Sequence, residues 1–169
     1  MWLKMYNRSD IRNIKISAAH YDLNAPEEFW QTDDALLSDV CNGCGPECLD
    51  DEQRASLTEA LGRYAAAYAI HDVEYEVHIS SREIADKNMR SNMLRIWKKD
   101  FGFWRWLSIA GIFNRVIVIP TAYQAVRKYG QSAWYATKRR IKKHEKVYCS
   151  GTMCHNAGRM YPGRKTSRN

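Results

Sequence analysis

The amino-acid sequence predicts a single all-α (mainly α) domain. Its 169 residues are enough to bury one core without disulfide or metal staples. Hydrophobic residues make up 45% of the chain and charged residues 27%, which excludes the class of disordered chains poor in apolar side chains. Apolar residues recur at steps of three and four in several segments, as in helices that bury one face. We assign residues 1–148 to this domain and residues 149–169 to a basic C-terminal tail.

The first 40 residues predict one short strand and one helix. Ile11, Ile14 and Ile16 alternate in part with polar residues, a pattern that indicates a strand. Asn24 precedes Ala-Pro-Glu-Glu, which offers an N-cap, a proline and acidic residues for a first helical turn. We therefore expect a helix from there to about Val40, with a buried stripe formed by Phe29, Ala35 and Leu36.

Two long helices are predicted in the middle of the chain. The first follows the acidic segment 50–52 and carries apolar and aromatic residues at helical spacing, together with one histidine: Leu57, Leu61, Tyr64, Tyr68, His71 and Tyr75. A capping box of Ser80 and Glu83 opens the second, which extends over about residues 81–97. On this second helix Asp86 shares one face with Met89, Met93 and Ile96. A buried carboxylate needs a partner, and we expect that partner on the preceding helix.

The C-terminal half predicts further helices. Residues 101–113 are aromatic and apolar, which favours a core helix over a surface that enters lipid headgroups. A helix over residues 120–129 is expected to stop at Gly130, and a basic helix over residues 131–147 follows. No signal peptide is predicted. No membrane span is predicted either, because Arg105, Asn114 and Arg115 interrupt the apolar stretch of residues 101–119.

The charge of the chain is distributed unevenly. The formal net charge is +7, yet from Arg127 onward there are twelve Lys or Arg residues and one acid, Glu145. The first 126 residues hold fourteen basic and eighteen acidic residues. A basic end of this kind predicts an anionic partner, either nucleic acid or an anionic membrane surface, unless it is only a solvated helix face. Trp104 and Trp106 could anchor the chain at a lipid interface.

His71 and Asp72 bring two functional groups into one helical turn. His71 and Tyr75 are four residues apart and share a face, whereas Asp72 projects about 100° away. An imidazole can act as a general base toward water, and a carboxylate together with loop carbonyls can bind a hard cation such as calcium. The segment 41–48, Cys-Asn-Gly-Cys-Gly-Pro-Glu-Cys, predicts a tight loop before this helix because it holds two glycines and a proline.

These motifs, in this order, resemble the secreted phospholipase A2 family, including the version found in parvovirus capsids. The family's Cys-Gly-x-Gly calcium loop is similar to Cys44-Gly45-Pro46-Glu47, and its His-Asp-x-x-Tyr helix matches the five residues that begin at His71. Its acid on the following helix looks like Asp86. Uncharacterised phage and prophage proteins share the Asn-Gly-Cys-Gly loop as well, so a bacterial cytoplasm and a phage virion both fit as locations. The matched region covers about residues 41–93.

The resemblance implies a fold, an activity and a set of site residues. The fold would be a phospholipase A2-like antiparallel helix pair with additional C-terminal helices. The activity would be calcium-dependent hydrolysis of a phospholipid ester, with His71 activating water, Asp86 orienting the imidazole and Tyr75 hydrogen-bonded to Asp86. Calcium would be held by the following residues: Asp72, Gly43, Gly45 and Glu47.

The sequence departs from the family's pattern at two places. Glu47 replaces the second loop glycine, so a residue with a Cβ stands where carbonyls must converge. The cysteine that normally precedes the His-Asp pair is missing, because Tyr68-Ala69-Ile70 stands there, so the usual disulfide from loop to helix cannot form. These departures keep open the alternative that the chain has the scaffold but not the chemistry.

Two alternatives belong to other functional classes. A structural zinc site could form from the five cysteines and one histidine: Cys41, Cys44, Cys48, Cys149, Cys154 and His155. Nucleic-acid binding could use the basic run of residues 138–143, with Trp134 and Tyr135 nearby, although no base-reading motif accompanies it.

Overall fold

The computed structural model describes the backbone of residues 6–41, 50–105 and 108–150, and the side chains of these residues except 51, 103–105 and 138–150. All regular secondary structure in these ranges is helical, so the all-α prediction is confirmed. The α-helices are α1 Arg8–His20, α2 Glu27–Gln31, α3 Asp34–Val40, α4 Asp51–Ala60, α5 Ala65–Val77, α6 Arg82–Arg105, α7 Ile109–Phe113 and α8 Ile119–Ser150. A 3-10 turn, Gly62–Tyr64, precedes α5, and a π-helical turn, Asn114–Val118, joins α7 to α8.

Three helices, α5, α6 and α8, form the centre of the fold. Helices α5 and α6 are antiparallel, since Arg63 just before α5 pairs with Asp100 near the end of α6, whereas Glu74 late in α5 pairs with Asn88 early in α6. Helix α8 packs against both helices and is antiparallel to α6. The described residues therefore contain the antiparallel pair and the additional C-terminal helices that the sequence predicts.

The strand predicted at residues 11–16 is wrong. This segment lies inside α1, where Ile11, Ile14 and Ala18 follow helical spacing and are buried against the core. Ile16, which the strand pattern required, is 62% exposed. Asn7 begins the helix, because its side chain accepts hydrogen bonds from the backbone of Ser9 and Asp10. Three isoleucines fit either period over so short a stretch, and the capping residue decides between them.

The helix predicted from Asn24 to Val40 is in fact two short helices, α2 and α3. Asn24 is not an N-cap. Its backbone and side chain are instead hydrogen-bonded to Asn88 and Asn92 of α6, with donor–acceptor distances of 2.8–3.0 Å. Of the predicted buried stripe, Phe29 is buried and Ala35 is partly buried. Leu36 is 58% exposed, and Leu37 is buried instead. Helix α2 begins three residues after Asn24, with Pro26 in the N-cap position.

The long helix predicted after the acidic segment 50–52, with a face that extends to Tyr75, is interrupted. Helix α4 ends at Ala60, and the 3-10 turn follows before α5 begins. Gly62 starts this turn, and a glycine inside a helical pattern weakens it. Helix α5 ends at Val77, and its C-cap, His78, adopts the left-handed conformation with φ 51° although it is not a glycine. The break lies before His71 and Tyr75, so the segment from Ala65 onward keeps its predicted helical face.

Helix α6 confirms the predicted face with the buried carboxylate. Asp86, Met89, Met93 and Ile96 are all fully buried. The predicted end at residue 97 is too early, because the helix continues to Arg105 with a non-helical residue at Gly102. At its start, the hydroxyl of Ser81 rather than Ser80 accepts a hydrogen bond from the backbone of Ile84, at 3.4 Å.

The predicted helix stop at Gly130 is wrong, because α8 continues through it. A Cβ at this position would lie 2.6 Å from the hydroxyl oxygen of Tyr75. The glycine therefore allows close approach of α5 to α8 rather than ending a helix.

The core helix predicted at residues 101–113 is also wrong in part, since Ile109 is 89% exposed, Phe113 is 52% exposed and Gly111 is buried. Within the described ranges one helical stretch, Ile109–Thr137, has the length and composition of a membrane span, and 11% of its most apolar window is buried. The prediction that no helix spans a membrane stays a prediction.

Glu74 is a buried acid that joins α5 to the N-terminal segment. One of its carboxylate oxygens accepts a hydrogen bond from Asn88 at 2.7 Å, and Asn88 also contacts Asn24. The other oxygen is buried and has no hydrogen-bond partner among the described residues. Burial therefore raises the pKa of Glu74 to about 7, although the hydrogen bond from Asn88 lowers it.

We expect Glu74→Gln to stabilise the fold at pH 8 and to leave it nearly unchanged at pH 4. Between pH 4.5 and about 7 the folded chain keeps a proton on Glu74 that the unfolded chain releases, so stability falls as the pH rises through this window. The amide removes that loss, and urea denaturation at pH 8 should show a gain of about 1–3 kcal/mol. Glu59→Gln, at an exposed position of α4, is the control and should change stability little at either pH. An equal gain at both pH values would contradict the assignment.

Candidate functional site

The candidate site is centred on a buried pair, His71 of α5 and Asp86 of α6. Nε2 of His71 lies 2.9 Å from Oδ1 of Asp86. The side chain of His71 is 7% exposed and that of Asp86 is not exposed at all. The structure thus brings together the imidazole and the carboxylate that the sequence predicted on neighbouring helices.

Tyr75 binds the same carboxylate oxygen. Its hydroxyl donates to Oδ1 of Asp86 at 2.7 Å, and its ring lies 4.1 Å from the ring of His71, centroid to centroid. Burial and the hydrogen bond to Asp86 raise the pKa of Tyr75, so that the phenol stays protonated and remains a donor. The predicted contact between Tyr75 and Asp86 is therefore present.

A third donor, Arg127 of α8, was missed by the sequence analysis. Its guanidinium donates to Oδ2 of Asp86 at 3.0 Å. In the sequence Arg127 is the first residue of the basic end, for which an anionic partner or a solvated helix face is predicted. The available signal was Gly130, three residues later, because a glycine within a helix can mark close packing against a neighbouring element.

The three donors decide the ionisation of Asp86. Burial by itself raises the pKa of a carboxyl group, but the hydrogen bonds from His71, Tyr75 and Arg127 outweigh burial and lower the pKa of Asp86 below its ordinary value. Asp86 is therefore a carboxylate at neutral pH and can only accept hydrogen bonds. It follows that Nε2 of His71 carries the hydrogen in this pair.

When the ring is neutral, this arrangement leaves a lone pair on Nδ1 of His71. Nδ1 makes no hydrogen bond to the described residues, whereas Nε2 is held by Asp86. A neutral imidazole with one nitrogen fixed by a carboxylate and the other unprotonated has the protonation state of a general base.

Asp72 lies near Cys41, the last described residue before the segment 42–49. Cys41 is buried, and its thiol lies 3.7 Å from the carbonyl oxygen of Ala69 in α5. Burial raises the pKa of Cys41, and the nearby charge of Asp72 raises it further. Cys41 therefore joins the end of α3 to the helix that carries Asp72.

Asp72 is the one predicted calcium ligand among the described residues. Calcium prefers carboxylate and carbonyl oxygens, and Asp72 is a half-buried carboxylate. The other predicted calcium ligands, Gly43, Gly45 and Glu47, lie outside the described residues. In the described ranges, no group of three or more His, Cys, Asp or Glu side chains is arranged to hold a metal ion.

The zinc alternative can be followed at Cys41 alone. This thiol is buried, and it lies 3.7 Å from the carbonyl oxygen of Ala69. Cys149 lies within α8 without a described side chain. The remaining proposed ligands, Cys44, Cys48, Cys154 and His155, lie outside the described residues.

Trp134 packs against residues of the candidate site. Its ring makes edge-to-face contacts with Tyr75, at a centroid distance of 5.0 Å, and with His78, at 3.8 Å. Tyr135, by contrast, is 54% exposed. Trp134 therefore serves to position Tyr75, and the nucleic-acid hypothesis keeps only one of its two aromatic residues.

Compared with the models of known protein families, with characterised proteins and with solved structures, this chain matches none. The resemblance to phospholipase A2 enzymes therefore stays a prediction from the order of the motifs in the sequence.

We expect Gly130→Ala to destabilise the protein, although alanine normally stabilises a helix interior by about 1 kcal/mol relative to glycine. The added methyl group would displace the hydroxyl of Tyr75 and break its hydrogen bond to Asp86, at a cost of about 1–3 kcal/mol in thermal or urea unfolding. In a Tyr75→Phe background the same change should cost much less. Gly62→Ala is the matched control, because a Cβ at Gly62 meets no atom within 4 Å. Equal costs of Gly130→Ala in the two backgrounds would contradict the proposed close contact.

Proposed function

We propose that this protein is a calcium-dependent, phospholipase A2-like hydrolase that cleaves a phospholipid ester. The observation that supports the proposal is the hydrogen bond of 2.9 Å between His71 and a carboxylate that is fully buried and also bound by Tyr75. A histidine in this state can take a proton from water and share the resulting positive charge with Asp86.

In the proposed mechanism His71 and Asp86 activate the attacking water. Nδ1 of His71 accepts a proton from a water molecule, whose oxygen attacks the ester carbonyl. The imidazolium that forms is stabilised by the adjacent charge of Asp86, and its proton then passes to the leaving alcohol.

Tyr75 and Arg127 act through Asp86 and not on the substrate. They hold both carboxylate oxygens, so the carboxylate keeps one orientation and stays ionised when His71 becomes charged.

Asp72 and carbonyls of the loop would hold the cation in this proposal. Calcium, when bound, supplies positive charge for the oxygen of the attacked ester carbonyl. The proposed ligands besides Asp72 are Gly43, Gly45 and Glu47. A carboxylate at position 47 could contribute an oxygen where the family has a glycine.

A second candidate is a scaffold that keeps the pair for structural reasons. The burial of His71 favours this candidate, since 5% exposure leaves little room for a substrate. Such a protein would act through binding, either with zinc as a staple or with nucleic acid at the basic end. Zinc retained after metal-free purification would support the first form, and DNA binding that falls steeply with salt would support the second.

We expect His71→Ala to abolish calcium-dependent release of fatty acid from phospholipid vesicles. Loss of a general base lowers a rate by about 10²–10⁴-fold, which brings this activity near the background. The measurement is fatty-acid release at saturating calcium, together with a thermal melt to check that the variant is folded. His20→Ala removes an exposed histidine from α1 and should keep full activity. A folded His71→Ala variant with undiminished activity would rule out the mechanism, and an inactive wild-type protein would favour the scaffold.

We expect Asp72→Asn to weaken calcium binding at least tenfold without disturbing the pair of His71 and Asp86. A ligand that binds the folded state alone stabilises it by about 2.7 kcal/mol at one hundred times its dissociation constant, so calcium should raise the melting temperature of the wild-type protein. The measurement is a calcium titration of the melting temperature. Asp72→Asn should shift the titration to higher calcium concentrations, and Glu59→Gln should not. Identical titrations for wild type and Asp72→Asn would exclude Asp72 as a ligand.

A further inference from the structure

An exposed row of large apolar side chains runs along α7 and the π-helical turn. We define the apolar stripe as five residues at helical spacing with the following exposures: Ile109 89%, Ile112 46%, Phe113 52%, Val116 59% and Ile117 49%. Single exposed apolar residues are common in proteins, but a contiguous row on one helix face marks an interaction surface.

The opposite face of the same segment is anchored to the protein. Trp97 of α6 donates its indole hydrogen to the carbonyl oxygen of Gly111 at 2.8 Å, and the hydroxyl of Tyr64 donates to the side chain of Asn114 at 3.0 Å. Ile119, one turn further, is buried. Polar contacts thus hold the inner face of the segment in place, whereas the apolar stripe faces outward.

The charge around the stripe indicates what kind of surface it fits. Arg115 is the only charged residue between Ile109 and Val126, and its guanidinium lies over the ring of Trp97, 4.8 Å from the centroid. Helix α8 follows directly at Ile119, and from Arg127 onward its sequence has a strong excess of basic residues. An apolar face followed by a basic segment complements an anionic lipid surface, in which apolar side chains enter the acyl boundary and basic ones contact headgroups.

The same features weigh against two other occupants. A second copy of this chain would bring a second basic end toward the first, and like charges repel. A membrane-spanning arrangement would surround the helix with lipid, which requires breaking the hydrogen bonds of Trp97 and Tyr64 as well as the ion pair between Arg127 and Asp86.

We propose that the apolar stripe is a membrane-docking surface that inserts shallowly into an anionic phospholipid bilayer while the opposite face stays bound to α6. This inference rests on the proposed function in one respect: docking would bring the site of His71 to its phospholipid substrate. The attachment itself follows from exposure, spacing and charge.

The experiment measures flotation of the full-length chain with vesicles in the presence of EDTA, so that binding is read without turnover. Vesicles of phosphatidylcholine alone are compared with vesicles that also contain phosphatidylglycerol. The wild-type protein should bind the anionic vesicles more tightly. Val116→Asp should weaken that binding at least tenfold. Ile16→Asp is the control, because Ile16 is similarly exposed, at 62%, but lies on α1, and its effect should stay within twofold.

Each remaining outcome counts against the proposal. Unchanged binding by Val116→Asp would overturn it, and so would association that resists alkaline carbonate and needs detergent, because that result indicates a span. A wild-type dimer that becomes monomeric in Val116→Asp, with no vesicle binding, would assign the stripe to a second copy. If Val116→Asp does not fold, the double variant Ile112→Ser, Val116→Ser replaces it with the same expected result.

A separate measurement distinguishes failure of docking from failure of the proposed function. A short-chain phospholipid below its micelle concentration is a substrate that needs no docking. Under both proposals Val116→Asp hydrolyses it at the wild-type rate, and His71→Ala binds vesicles without hydrolysing either substrate. Vesicle binding without any hydrolysis by the wild-type protein would support docking and refute the enzyme.

Discussion

Asp86 is a fully buried carboxylate at the place where α5, α6 and α8 meet. Each of these helices provides either the carboxylate or its hydrogen-bond donors. The carboxylate stands on α6, two of its hydrogen-bond donors come from α5 and one comes from α8. A buried charge is tolerated only when it is fully paired, and removal of one partner from such a group typically costs about 3–5 kcal/mol. The relative positions of the three helices are therefore fixed by the need to satisfy one side chain.

The close approach of α5 and α8 follows from the same constraint. Tyr75 can reach Asp86 because Gly130 leaves room for its hydroxyl, and Trp134 supports the ring from the side. A residue with a side chain at position 130 would separate the two helices at the level of the buried charge. The packing of the C-terminal helix and the hydrogen bonding between His71 and Asp86 are thus coupled through one phenol. This coupling would serve a catalytic base and a structural network equally well, which is why activity and stability must be measured separately.

The segment from Ile109 to Val118 has two faces with different contacts. The inner face is hydrogen-bonded to Trp97 and Tyr64 and so belongs to the bundle that carries the site. The outer face is apolar, and an exposed apolar row of this kind marks an interaction surface. A rod that continues into a basic helix can dock at an anionic surface without moving the inner contacts. In the proposed arrangement the apolar stripe binds the membrane, and the pair of His71 and Asp86 on α5 and α6 carries out the chemistry.

The sequence by itself determined the all-α class, the helical face with Asp86, and the order of His71, Asp72, Tyr75 and Asp86, because these depend on spacing within single helices. It did not determine where helices begin and end. Asn24 had the chemistry of a cap but binds α6, Ile11 to Ile16 fitted two periods, and Gly130 had the appearance of a stop. The tertiary structure alone decided the role of Arg127, which lies 41 residues from Asp86, and the outward direction of the apolar stripe. Both depend on which elements meet in space, and contacts between distant segments leave no periodic signal in the chain.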